Sequence, residues 1–405
     1  MKVLHILRAD SGGAARAAIQ QHLALLRSGV DSKMLLLERR NERTAQSYAY
    51  DGPYLPLFKN LLYRAGFYRG EDARFAKTSG RFHGRFEGVS FPGTPFDLVR
   101  NLHVQEADVL NLHSVARFID YQTFFPRVGK PIVWTLHDMN PFSGIFHFSQ
   151  DEERNPELSG VNRRALRTKL KSLRAAPALT IACPSRWIME SSQRSELFGR
   201  YYHEYIPYAV DLDVFRAHDR AFARNLFGLP ANKVILLFVA AGIENRRKGL
   251  DILVDALAEV SETDNVALCA VGGCKTFSHE RVINLGTIAD DRLLSLAYSA
   301  ANAVVIPSRE DNLPNVMLEA FACGVPVVSF SIGGMRDFVR NGFNGIAVDE
   351  MSASAMAHAI CRIGTGDCTF SPQAIRGFAE ASFAPAQHAA RFTKLYRQLP
   401  PEGCS

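Results

Sequence analysis

The stretch SREDNLPNVMLEAFACGVPVVSF, residues 308 to 330, sets two carboxylates, Asp311 and Glu319, eight positions apart. Pro314 suits the first turn of a helix, Gly324 suits its exit, and VPVVSF reads as the next buried strand. Eight helical residues span about 12 Å. Asp311 therefore falls in the loop before the helix, Glu319 points from within it, and the backbone N–H groups of Asn312, Leu313 and Asn315 lie between them. That arrangement suits one extended ligand, with phosphates at the N–H groups, one carboxylate on a ribose diol and the other on a second sugar.

Three further loops carry residue types that can do chemistry. In AAGIENRRKGLDILVDAL, 240 to 257, Arg246, Arg247 and Lys248 precede a glycine and an amphipathic helix, so several cations meet a helix N-terminus. A diphosphate fits there, each charge-assisted hydrogen bond being worth about 1.5 to 3 kcal/mol. In RADSGGAARAA, 8 to 18, Gly12 and Gly13 allow close backbone approach to an anion at the next helix, although the spacing is not G-x-G-x-x-G. In VWTLHDMNPFSG, 133 to 144, a strand-like run ends at His137, whose imidazole can bond a sugar hydroxyl or a phosphate. His113, after VLNL, sits similarly. Glu38 could serve as a ribose-binding acid in a nicotinamide enzyme. The DLD at 211 to 213 reads as a turn cap, and no acid or histidine cluster has metal-ligand spacing.

Positioning such loops requires strands that alternate with helices. Candidate strands are 2–7, 32–37, 109–112, 132–136 and 180–182, then 234–240, 266–271, 282–285, 303–306 and 327–330. Helical patterns cover 14–28, 163–174 and about 386–398. The alternation occurs twice, with a break at YYHEYIPYAVDLDVF, 201 to 215. The expected organisation is two doubly wound α/β domains, 1–205 and 206–405, with the helix at 386–398 packing back on the first. Loops after the strands should carry the ligand.

The chain of 405 residues is long enough for two cores, and 47% hydrophobic with 22% charged residues fits a globular enzyme, neither disordered nor membrane-embedded. The longest apolar run, Val234 to Ile243, is about half a membrane span. MKVLHILRADSGG is too short in its apolar part for a secretory leader, and seven cysteines without a Cys-x-x-Cys pair fit neither a disulfide framework nor a zinc site. A cytoplasmic setting is expected. The net charge of +6 is uneven: seven Lys or Arg lie between Lys59 and Arg85 among many aromatics, and a second basic stretch runs from Arg154 to Arg174. Such interleaving suits an anionic membrane surface or an acidic polymer, hence an expected peripheral contact on the inner membrane face. The alternative is a solvated helix face. No nucleic-acid-binding motif accompanies the charge.

With DNLPNVMLEAFACGVPVV, RRKG, NLGTIADDRLLSLAYSAANAVVIPSRE and the Gly-Gly loop in view, the chain resembles the retaining GT-B glycosyltransferases of glycosyltransferase family 4. The likeness is densest from 234 to 349. It implies two Rossmann-like domains facing a central crevice and transfer of a sugar from a nucleotide diphosphate donor to a hydroxyl acceptor, in surface-polysaccharide or glycolipid assembly. Saccharides or lipid-linked saccharides are the implied acceptors, without nucleic acid, metal or other cofactor. Glu319 would bind the ribose hydroxyls, Asp311 the donor sugar, and Lys248 the diphosphate. The family's partner arginine, in a Gly-Arg pair, is replaced here by Gly242-Ile243, which leaves Arg246 or Arg247 for that part. His137 matches the family's crevice histidine. Two other readings stand beside this one: a noncatalytic nucleotide-sugar binding protein and a nicotinamide-dependent oxidoreductase.

Overall fold

A computed structural model of the chain describes residues 1–52, 87–174, 176, 178–260, 265–273 and 279–400. The basic, aromatic stretch 59–85 lies outside them. Packing divides the chain into two units, Met1–Ile206 with the chain from Ala386 onward, and Pro207–Pro385.

The first unit is built on a seven-stranded sheet. Its strands are β1 (Lys2–Ala9), β2 (Asp31–Glu38), β3 (Ser47–Ala49), β4 (Val109–Leu112), β5 (Ile132–Thr135), β6 (Leu179–Cys183) and β7 (Tyr202–Tyr205), in the order β3-β2-β1-β4-β5-β6-β7. All pairs are parallel. The short apolar runs are buried on both faces, as a helix-covered parallel sheet requires. Alternation then divides each strand between two cores. Leu4, Ile6, Ile132 and Trp134 join a large aromatic cluster with Phe118, Phe124 and Phe125. Val3 and Val133 face the other way, onto Phe392, Leu395 and Tyr396 of the terminal helix Pro385–Arg397. Buried polar groups bind that helix too: Gln21 Nε2 donates to the Tyr396 hydroxyl at 2.9 Å and to Asn111 Oδ1 at 2.8 Å. The stretch expected to interrupt the alternation near 201 instead supplies β7. Its polar, half-exposed YHEY pattern is that of an edge strand, which lacks the apolar signature of a central one.

The second unit carries a six-stranded parallel sheet of β8 (Val234–Gly242), β9 (Val266–Gly273), β10 (Val282–Asn284), β11 (Ala303–Ile306), β12 (Val327–Phe330) and β13 (Gly345–Val348), ordered β10-β9-β8-β11-β12-β13. Leu236, Phe238, Leu253, Val305, Val328 and Phe330 form its principal core. In each sheet the strand order reverses once, between β1 and β4 in the first and between β8 and β11 in the second. Ligands of open α/β sheets bind outside the strand ends at that switch point. The loops singled out above follow β1, β4 and β5 in one unit and β8 and β11 in the other. No described helix is long and apolar enough to cross a membrane.

Candidate functional site

In the second unit the two loops flanking the switch point meet through charge. After β8 the chain forms a short 3-10 turn, Arg246–Lys248, which Gly249 ends at φ +77 before the helix Leu250–Glu259. A Cβ on Gly249 would lie 2.0 Å from the Pro307 carbonyl oxygen, so the loop after β11 fits against this turn only because a glycine stands there. Lys248 Nζ donates to Asp311 Oδ2 at 2.6 Å, Arg247 NH1 lies 3.6 Å from the same oxygen, and the Ser308 hydroxyl donates to it at 3.3 Å. Burial by itself pushes the Asp311 carboxyl up. The cations Lys248 and Arg247 overcome that and hold it below the usual range. Arg247 also donates to the Glu310 carbonyl oxygen at 2.9 Å.

The two arginines expected as partners of Lys248 have different surroundings. Arg247 is half-buried and converges with Lys248 on Asp311, whereas Arg246 is exposed and its carbonyl oxygen accepts from Arg309. Arg309 in turn grips Asp251 with two bonds of 2.7 Å, a planar fork that ties the loop to the helix Leu250–Glu259.

Asp311 and Glu319, expected to hold two ends of one ligand, each accept from a protein donor. Glu319 lies in the helix Asn315–Ala322, buried, with the Tyr298 hydroxyl donating to its Oε2 at 2.7 Å. Pro314 precedes the helix in extended conformation rather than occupying its first turn. Asn312 and Leu313 are buried. Their backbone is cradled by Gly333 and Gly334 after β12, which no motif in the sequence marks. Gly334 N–H donates to the Asn312 carbonyl oxygen, and a Cβ on Gly333, at φ +51, would fall 1.7 Å from the Asp311 carbonyl oxygen.

In the first unit, Gly12 is the N-cap of the helix Gly13–Arg27, exposed and without a side-chain cap. Glu38 is engaged by two arginines, Arg8 at 2.7 Å and Arg40 at 3.0 Å, and Arg8 foremost lowers its pKa. Asp211, at the start of the second unit, caps its own turn, its Oδ1 accepting from the N–H groups of Asp213 and Val214.

His137 follows β5 and borders a small pocket with His113, Tyr121, Asp138 and Asn140. It stands at the end of a row of imidazoles. His113 Nδ1 is 3.0 Å from His137 Nε2, and His113 Nε2 is 2.9 Å from His5 Nδ1. The register explains the row: His5 pairs with Asn111 and Asn111 with Val133, so His113 and then His137 lie on the same sheet face, each stepped toward the strand ends. Burial lowers the pKa of all three, with His137 brought to about 4.

The loop after His137 is pinned from below. Asp138 pairs with His147 at 2.7 Å and accepts from Asn140 N–H at 2.9 Å. Burial pushes the Asp138 carboxyl up, but His147 and these bonds prevail and lower it. Lys169 is buried, donates to the carbonyl oxygens of Asn140 at 2.5 Å and Ser143 at 3.1 Å, and lies 5.2 Å from the Tyr121 ring centre. Burial brings its pKa down to about 7. Lys169 belongs to the basic stretch read as a candidate for anionic surfaces, and it is withdrawn from any such surface.

Two Rossmann-like parallel-sheet domains, each with its polar loops at the switch point, define the GT-B class. Solved structures agree over nearly the whole chain. Sucrose-phosphate synthase from Thermosynechococcus elongatus is 21% identical with a TM-score of 0.67, covering 98% of this chain and 99% of that one. Anabaena HepE, crystallised with UDP and glucose, is 18% identical with a TM-score of 0.68, covering 98% and 100%. The family model described as glycosyl transferases group 1 matches residues 233–365, within the second unit. Among relatives, D-inositol 3-phosphate glycosyltransferase 1 of Catenulispora acidiphila is 32% identical over 57% of this chain and 58% of that protein. The D-inositol 3-phosphate glycosyltransferase of Mycolicibacterium smegmatis is 27% identical over 95% of this chain and 83% of its own length. The chain thus spans little more than half of the Catenulispora protein, and 39% of an Acidothermus cellulolyticus relative that is 35% identical.

Proposed function

We propose that the protein is a retaining glycosyltransferase that moves a sugar from a nucleoside diphosphate donor to a hydroxyl acceptor, in surface-polysaccharide or glycolipid assembly at the cytoplasmic side. The observation that carries this reading is the convergence of Lys248 and Arg247 on Asp311 at the sheet switch point, inside the segment matched by the family model. Two cations fixed against one buried carboxylate form a site with one positive charge in excess that can exchange partners. A diphosphate takes bonds from Lys248 and Arg247, and the Asp311 carboxylate is released toward a sugar hydroxyl. Negative charge grows on the departing phosphate as the anomeric carbon becomes cationic, so cations held in place beforehand act more strongly on the transition state than on the bound donor.

Glu319, aimed by Tyr298, accepts from ribose hydroxyls in this scheme. The backbone at Asn312 and Leu313, set by Gly333 and Gly334, and the turn at Arg246 complete the donor side. In the first unit, His137 and the helix start at Gly12 and Gly13 are the groups suited to a phosphate or a hydroxyl. The nucleotide sugar is a substrate, and the scheme assigns no step to a metal or a further cofactor. HepE has been crystallised with UDP-glucose and the relatives are D-inositol 3-phosphate glycosyltransferases, so UDP-glucose is the first donor to assay and a phosphorylated cyclitol the first acceptor.

A donor panel tests the proposal: thermal shift for binding, then release of free nucleoside diphosphate with time. Binding without release supports a noncatalytic binding protein. Tight NAD(H) binding that is lost on changing Glu38 supports the oxidoreductase reading.

A further inference from the structure

The row His5, His113, His137 determines more than orientation. A neutral imidazole has one N–H and one lone pair. Two successive ring-to-ring bonds of 2.9 Å and 3.0 Å therefore force a single direction along the row. Either every proton is on Nδ1 and points from His5 toward His137, or every proton is on Nε2 and points back. A doubly protonated His113 would donate both ways, but it is buried among His5, His22, His137 and His388, with no carboxylate of the described residues acting on it.

The two directions differ at the buried end. His5 is fully buried, and among the described residues its Nε2 has no hydrogen-bond partner. The backward direction strands an N–H there, whereas the forward one strands only a lone pair. Orphaned buried N–H groups are the rarer and costlier of the two. We infer that His113, itself oriented by His5, fixes His137 as the Nδ1–H tautomer, so that toward a sugar or phosphate oxygen this ring can act only as a hydrogen-bond donor and has no lone pair to offer as a base. His113 and His5 are positioning residues on this account. The consequence for substrate rests on the transferase reading; the tautomer does not.

The test is long-range proton–nitrogen correlation NMR on the full chain labelled at histidine, near neutral pH. Expected are a protonated-type shift at His137 Nδ1 and an unprotonated-type shift at Nε2. In His113→Phe, His137 should lose this bias and shift toward Nε2–H, while His147, held separately by Asp138, keeps its signals and reports an intact fold. With a turnover assay in hand, His113→Phe should lower kcat on the order of 10-fold at unchanged donor KM, an effect typical of groups that orient a functional ligand. An Nε2–H tautomer of His137 in the wild-type protein overturns the inference and leaves the transferase reading standing. An Nδ1–H tautomer in a protein that releases no nucleotide sinks the transferase reading and leaves the inference standing. Should His113→Phe fail to fold, the wild-type spectrum alone decides.

Discussion

Replacing Lys248 by alanine disturbs both the stability and the chemistry of the second unit, and the two effects can be separated. Two unit charges 2.6 Å apart interact by roughly 6 kcal/mol at an effective dielectric constant of about 20. Desolvation of both groups offsets most of this, the ammonium retains some exposure, and Arg247 remains 3.6 Å from the same oxygen. The net loss in Lys248→Ala should therefore be about 2–3 kcal/mol, below the 3–5 kcal/mol typical when a buried charge loses its sole partner. That corresponds to a fall in Tm of about 4–12 °C. A double-mutant cycle with Asp311→Ala, read by chemical denaturation, should return about 2 kcal/mol of coupling, since removing both partners leaves no stranded charge. Turnover should drop about 100-fold with donor KM little changed, because the bond strengthens as phosphate charge develops. Additive stabilities within about 0.5 kcal/mol would refute the ion-pair argument. A rise in KM at intact kcat would refute the charge-stabilising role.

Tyr298→Phe removes the donor that aims Glu319, and calorimetry should show donor affinity weakened severalfold at a stability cost of about 1 kcal/mol; unchanged affinity takes Glu319 out of the site. Gly333→Ala should cost more than about 2 kcal/mol and abolish donor binding, since its Cβ collides with the Asp311 carbonyl, and a variant melting like the wild type contradicts the cradle. The His137 imidazole is lowered by burial to about 4, with Asp138 pulling weakly the other way. Between that value and the unfolded value near 6.5 the unfolded chain binds more protons, so stability rises with pH across this window and is lost as pH falls through it, by about 2–3 kcal/mol. Urea titrations at neutral pH and near pH 4.5 should draw closer together when His137 is replaced by glutamine, with buried His5 and His113 keeping the rest of the dependence; an unchanged gap between the two pH values excludes His137 as a source.

The central strands could be read directly from their composition. VLNL, AVVI and VVSF, bounded by turn residues, fold as β4, β11 and β12 over the expected residues. The edges were harder, because Ser47–Ala49 is three residues long and Tyr202–Tyr205 is polar, and an edge strand needs neither length nor a second apolar face. Residue type and position after a strand were enough to single out Lys248, Asp311 and His137. Their partners were not legible, because contact depends on register and helix packing. His5 interrupts an ordinary apolar strand, and only the pairing of β1, β4 and β5 sets it in line with His113 and His137. Tyr298 sits in LLSLAYSA with no local sign that its hydroxyl reaches a carboxylate. Lys169 looked like one more surface cation among the arginines of 154–174, and its burial under the 138–147 loop follows from tertiary packing alone.

The central claim is that the cations after β8 promote departure of a nucleoside diphosphate from a donor sugar. The most direct measurement is the time course of nucleoside diphosphate release from a panel of nucleotide sugars, UDP-glucose first, by the wild-type protein and Lys248→Ala at equal concentration and donor saturation. The account predicts that at least one donor is consumed by the wild type and that its release rate falls about 100-fold in the variant. Equal release rates in the two proteins, or a donor that binds the wild type to saturation and is never cleaved in the presence of hydroxyl acceptors, would contradict it.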